Sequence, residues 1–147
     1  MRVMSIGRCN VEGYTDPTPY HALTSVCRDE KRRDSYKKLI FVSSPFAGDV
    51  ERNIENARKF SRMVVDNGAI PITPHLLFPQ FLDDNNHEER TLGINFGLRL
   101  LVKCDEIWVF GRTITQGMRV ELAVAKRKRV KVRYFDENGT EDRLCRS

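Results

Sequence analysis

From Lys38 to Tyr134 the chain alternates between two apolar periods, and this limits its possible folds more than any other feature. Leu39-Ile-Phe-Val-Ser43, Ala69-Ile-Pro-Ile72, Glu106-Ile-Trp-Val-Phe110 and Val130-Lys-Val-Arg-Tyr134 are short apolar runs of strand length. Longer segments of helical period separate them. Val50, Ile54, Ala57, Phe60 and Val64 recur at three- and four-residue steps and form one stripe, with Asp49 placed to cap it and Gly68 to end it. Residues 88–103 and 117–128 read as two further helices, and Pro71 puts its strand near an edge or at a strand start. The loop over residues 73–88 is long enough to be functional or to hold a short helix of its own. Strands joined by helical crossovers lie parallel, with helices on both faces. The expectation is an α/β domain with a mainly parallel sheet of four or five strands.

The chain has 147 residues, about one domain's worth. Residues 1–36 are polar and aperiodic and read as an arm, partly mobile or packed on a body formed by residues 37–147. No apolar run approaches the ~18 residues of a membrane span, and the MRVMSIGRCNVEG start lacks the apolar core of a secretory signal. A cytoplasmic protein with no membrane contact is expected. The cysteines Cys9, Cys27, Cys104 and Cys145 show no metal-type or disulfide-framework spacing. The net charge of +5 comes from basic runs at residues 28–38 and 126–133. No aromatic residues interleave with them as a nucleic-acid stacking platform requires, so nucleic acid is not an expected partner.

Parallel sheets bind ligands beyond the carboxyl ends of their strands. That directs attention to Ser43–Gly48 and Gly111–Gln116, the loops after the first and third strands. Ser43, Ser44 and Gly48 offer hydroxyls and free amides ahead of a helix N-terminus, where an anion or a sugar hydroxyl would fit. The loop is neither a Walker A loop nor GxGxxG. In the second loop, Gly117 permits close backbone approach, and Glu121 falls within about the first helical turn, where the macrodipole favours its anion. An ionised carboxylate beside a crevice is what a glycosidic nucleophile needs. Phe46 and Met118 suit a base sandwich or the core, while His75 and Arg112 suit contacts to a base and to a phosphate or ribose edge. His87 with Asp83, Asp84, Glu88 and Glu89 lacks the fixed spacing of a cation site, and neither metal nor cofactor is expected.

Phe41-Val-Ser-Ser-Pro-Phe-Ala-Gly48, Cys104-Asp-Glu-Ile-Trp-Val-Phe110 and Thr115-x-Gly117-Met-x-x-Glu121, in that order, resemble the nucleoside 2-deoxyribosyltransferase-like superfamily, in a branch carried by bacteria and their phages. The resemblance covers roughly residues 38–135. It implies a flavodoxin-like or Rossmann-like three-layer sandwich, a nucleoside or nucleotide as ligand, and a homodimer or larger homo-oligomer. It makes Glu121 the nucleophile at C1′ and Thr115 a ligand of the sugar or its 5′-phosphate. The implied activity is N-glycosidic cleavage or 2-deoxyribosyl transfer; the alternative is a binder of a nucleotide or nucleotide-derived signal without catalysis. Two positions depart from the family pattern: Phe41 stands where a tyrosine is frequent, and Gly97 where an aspartate serves as acid, with Asn95 the nearest polar residue. Asp83, Asp84, Asp105 and His75 remain as candidate acids.

Overall fold

A strand buried on both faces reads as a near-continuous apolar run, and Leu39-Ile-Phe-Val supplies one before Ser43 ends the strand. It forms β1, which pairs in parallel with two other strands. The computed structural model describes residues 37–143, so the expected arm over residues 1–36 lies outside the described residues. After β1 come α1 (Val50–Asp66), β2 (Ile70–Ile72), α2 (Pro74–Leu77) with a 3-10 turn over Phe78–Gln80, and α3 (His87–Leu101). β3 (Glu106–Phe110), α4 (Gln116–Arg127) and β4 (Lys131–Phe135) complete the order. The sheet runs β2-β1-β3-β4, all parallel. Among the described residues no helix is long and apolar enough to cross a membrane.

Alternating strand residues feed two cores, one on each face. Ile40, Val42, Trp108 and Phe110 pack with Phe60 and Val64 of α1. Phe41, Ile107 and Val109 pack with Leu101 of α3 and with Met118 and Ala125 of α4. The three-layer α/β expectation therefore holds, with four strands among the described residues. The order reverses at β1: the first connection leads to β2 on one side, and the next returns to β3 on the other. Asp105 fixes that junction. Its carboxylate accepts the Leu39 amide at 2.8 Å, and its own amide donates to the Leu39 carbonyl at 2.8 Å.

Helix boundaries follow their caps. The Asp49 carboxylate accepts the Arg52 amide, and Gly68, at φ 78°, ends the turn after α1. The expected stripe on α1 is only partly buried. Ala57, Phe60 and Val64 are in the core, but Ile54 is half-buried and Val50 is 40% exposed. The first turn of α1 starts beyond the strand ends and has no sheet beneath it. The last strand also begins one residue later than its apolar run. The Val130 amide still donates to the Ala125 carbonyl of the preceding helix, and Phe135 pairs with Phe110 and so extends the strand one residue past Tyr134.

At the amino end of β3, Glu106 is only 3% exposed. Its carboxylate accepts from Trp108 Nε1 at 2.9 Å and from Lys38 Nζ at 3.1 Å. Arg133 lies 3.6 Å away, itself bound to Glu141 through two 2.8 Å hydrogen bonds. Burial alone would raise the Glu106 pKa, but the Trp108 and Lys38 hydrogen bonds and the Lys38 and Arg133 charges outweigh it and hold it below the ordinary value.

Two substitutions test this packing. Phe60→Ala should cost about 3–5 kcal/mol in urea denaturation, whereas Val50→Ala should stay within about 0.5 kcal/mol. Comparable costs at the two positions would contradict the overhang of α1. Glu106→Ala strands the indole N–H and the neighbouring cations, and should cost about 3–5 kcal/mol at pH 7. A depressed carboxylate pKa stabilises above its unfolded value near 4.5 and stops doing so as pH falls through the folded one. The wild-type advantage over this variant should therefore shrink at acid pH.

Candidate functional site

The turn from β1 to α1 opens with Ser43 and Ser44, both buried because they continue the strand into the sheet's carboxyl edge. Asn53, one turn into α1, donates to the Phe46 and Ala47 carbonyls at 3.0 and 3.1 Å and so ties the loop to the helix. Across the edge, Thr115 caps α4 by accepting the Met118 amide at 3.3 Å. The helix that starts there carries Glu121 back to β1, where its carboxylate accepts the Ser43 hydroxyl at 2.5 Å. Residues 43 and 121 thus meet although 78 positions separate them.

A cleft of about 350 Å³ opens over this contact. Its floor carries Ser44, Thr115 and Glu121, and one flank holds Phe46 and His75. These two rings stack nearly parallel, 5.0 Å apart with 13° between planes. The opposite wall is apolar, built by Phe78, Pro79 and Leu82 before α3 and by Ile94 and Leu98 on it. Gly93 and Gly97 of α3 also line the cleft. A Cβ at 97 would lie 3.5 Å from Pro74, and one at 93 would lie 3.6 Å from Leu82.

Ser44 is 1% exposed, and its hydroxyl has no hydrogen-bond partner among the described residues. A buried, unpaired hydroxyl beside a cleft is costly unless a ligand or water completes it. His75 is held below its ordinary pKa by burial, against the opposing pull of its hydrogen bond to the Ser44 backbone and the Asp84 charge. Glu121 is pushed from 4.5 to about 7 by burial, with the Ser43 hydroxyl pulling the other way. The sequence reading made Glu121 an anion held by the first turn of its helix. In the structure it lies in the second turn, beyond the strongest reach of the helix dipole. Desolvation dominates, and near neutrality the carboxyl is divided between its two forms.

Of the residues singled out from sequence, Ser44, Phe46, His75, Thr115, Gly117, Met118 and Glu121 line this cleft, with Ser43 behind Glu121. Met118 is 1% exposed and belongs mainly to the core below. Gly48 and Arg112 are exposed and do not line the cleft. Gly48 serves the turn instead, at φ 100°. Asn95 faces away from the cleft and lines a separate shallow depression beside Arg99. Among the candidate acids, Asp105 is committed to β1, while Asp84 and His75 line the cleft. The Asp83 amide donates to Glu89 at 2.5 Å, and Glu89 and Arg90 also line the cleft. Sequence reasoning missed Arg90, which no motif marks, and the apolar residues before α3, because the 73–88 loop carries no period; its Pro-His-Leu-Leu and Phe-Pro-Gln segments are one-turn helices. Among the described residues no group of three or more His, Cys, Asp or Glu side chains is arranged to hold a metal ion. Burial raises the Cys104 thiol to about 11, which makes it a poor nucleophile.

Residues 38–135 match the family model described as "Domain of unknown function (DUF7768)". No curated protein matches the chain. Among solved structures the chain is similar to the 2-deoxyribosyltransferase of the psychrotolerant bacterium Bacillus psychrosaccharolyticus, with a TM-score of 0.57 and 19% identity. The match covers 67% of this chain and 72% of that one. At that identity the likeness establishes a shared α/β fold.

The raised Glu121 pKa has a thermodynamic signature. The unfolded chain gives up this proton near pH 4.5 and the folded one near 7, so ionisation opposes folding progressively across that interval and fully above it. Glu121→Gln removes the opposition. Relative to wild type, its gain in stability should grow from little at pH 4.5 to on the order of 2–3 kcal/mol at pH 8. Urea melts at the two pH values measure this, and an equal gain at both would show that the carboxyl is not desolvated.

Proposed function

Because the chain belongs to the DUF7768 family and carries a desolvated carboxyl and an unpaired hydroxyl in one cleft, we propose that it cleaves or transfers at the N-glycosidic bond of a nucleoside. The observation that carries this reading is the Ser43–Glu121 contact at the sheet's switch point, beside the flat Phe46–His75 pair. The base lies on the two stacked rings, and the sugar lies over Ser44 and Glu121. The ionised Glu121 carboxylate attacks C1′ as the C1′–N bond breaks, and that bond's electron pair leaves with the base. The resulting glycosyl ester is resolved by water, giving hydrolysis, or by a second base, giving transfer. His75 and Asp84 are the cleft groups available to pass a proton to the departing base. The Ser43 hydroxyl orients the carboxylate and steadies its charge. The fold shared with a 2-deoxyribosyltransferase supports the reading, as does the sequence resemblance.

A binding protein without catalysis is the second reading. The observation favouring it is on α3, which turns Gly97 toward the cleft at the position where the family pattern has an aspartate. We also assign the exposed apolar side chains Phe81, Leu92, Ile94 and Phe96 to contact with a second copy, in line with the homo-oligomer implied by the resemblance.

Incubation with a panel of 2′-deoxynucleosides and ribonucleosides, with free base followed by chromatography, tests the chemistry. Glu121→Ala should lower base release by at least about 10³-fold while leaving the fold and ligand binding in place. Since the nucleophile must be ionised, wild-type kcat/KM should climb with pH to a midpoint near 7 and then level off. A variant as fast as wild type would remove Glu121 from the mechanism. Binding of a nucleoside with no base released by wild type would favour the second reading.

A further inference from the structure

α3 and α4 each lead into a strand, so their last turns lie at the sheet's amino edge, away from the chemistry of the cleft. Between those turns is a second, open groove of about 510 Å³. Positions 95, 98, 99, 102 and 103, on α3 and just beyond it, recur at three- and four-residue steps, as do 124, 127 and 128 at the end of α4. One face of each helix therefore borders the groove. Leu98, Val102 and Val124 are half-buried and make its floor. Arg99, Lys103, Arg127 and Lys128 are exposed and make its rim.

No acidic side chain lines this groove. The chain offers none close by, because residues 91–104 and 122–135 contain neither aspartate nor glutamate. Among the described residues the four rim cations form no ion pair, whereas Lys38, Arg62 and Arg133 are each paired with a carboxylate. Cations at helix C-termini have a local use, since each such end carries about half a negative charge. Two ends balance about one of the four cations, which leaves about three positive charges for another partner.

The floor decides which kind of anion fits. A single-stranded nucleic acid needs aromatic faces on which its bases stack, and no aromatic side chain lines the groove. A duplex would meet the rim through its phosphates and leave the three aliphatic side chains uncovered. A helix with an aliphatic ridge flanked by carboxylates uses both features, with the ridge on the floor and the carboxylates on the rim. We propose that this groove is the docking site for an acidic amphipathic helix of a partner protein. The floor supplies the affinity, while the rim supplies orientation and choice of partner, because exposed ion pairs are weak singly and screened by salt. None of these residues has a part in the glycosidic reading except Leu98, which borders both depressions, so the two stand independently.

The test uses the full chain and a fluorescein-labelled synthetic peptide of about five helical turns, with leucines at three- and four-residue steps and glutamates elsewhere. A scrambled peptide of the same composition, polyglutamate and a DNA duplex are the comparisons. By fluorescence anisotropy the amphipathic peptide should bind at least about tenfold more tightly than its scramble, and should weaken as salt rises from about 0.1 M to about 1 M. Lys103→Glu with Arg127→Glu should lower its affinity about tenfold or more with the circular dichroism unchanged, and Lys103→Gln with Arg127→Gln should fall between that variant and wild type. A peptide with lysines in place of the glutamates should bind the charge-reversed variant better than wild type. Equal binding of the scramble or of polyglutamate overturns the proposal by reducing the groove to a non-specific patch. Tighter binding of the duplex overturns it in favour of nucleic acid. Salt-sensitive self-association in sedimentation, lost in the charge-reversed variant, overturns it in favour of a second copy. No binding of the peptide at about millimolar concentration, or binding unchanged by both double substitutions, also overturns it.

Discussion

The cleft depends on the central position of β1. This strand is hydrogen-bonded on both edges and covered on both faces, so it has nowhere to shift once Asp105 locks its first residue to the start of β3. Its register then fixes where the chain leaves the sheet. That exit carries Ser43 and Ser44, buried hydroxyls that a surface loop would leave in water. Because the strand order turns around at β1, the helices on either side of it diverge, and space opens above its end. Glu121 reaches Ser43 because β3 lies beside β1 and α4 folds back over the same face.

Backbone economy explains why so much of this frame was legible in sequence. Buried parallel strands need uninterrupted apolar runs, and Leu39-Ile-Phe-Val and Ile107-Trp-Val-Phe supply them. Capping also marked α1, since Asp49 and Gly68 act through local chemistry. Features decided by distant neighbours were not legible. The α1 stripe gives no sign that Val50 overhangs the sheet. Glu106 looks like a polar boundary before an apolar strand, yet it is buried because Lys38, Trp108 and Arg133 arrive from other segments. The ionisation of Glu121 was misjudged for a related reason. A helix dipole can be read from position along the chain, but desolvation depends on what lies above the side chain.

The wall opposite the aromatic pair shows another kind of dependence. Gly93 and Gly97 are one helical turn apart on α3 and lie beside Leu82 and Pro74 without filling the opening. The 73–88 segment has no apolar period because each of its residues answers to a different neighbour. Ser61 of α1 grips its start through the Thr73 hydroxyl, and Phe78 packs on Phe96 of α3. Its shape therefore comes from the two helices it touches and hardly at all from its own preferences.

Two carboxyls sit at opposite ends of β1 and β3 with opposite affinities for a proton. Glu106, at the amino end, is held charged by its partners, and Glu121, at the carboxyl end, is driven toward neutrality by burial. Mild acid therefore reaches them in sequence. Between the two titrations the frame keeps its ion pairs while the carboxyl in the cleft is already neutral. Acidification in that range would take the charge off the cleft carboxyl without loosening the fold, and neutralisation would restore it with no refolding step.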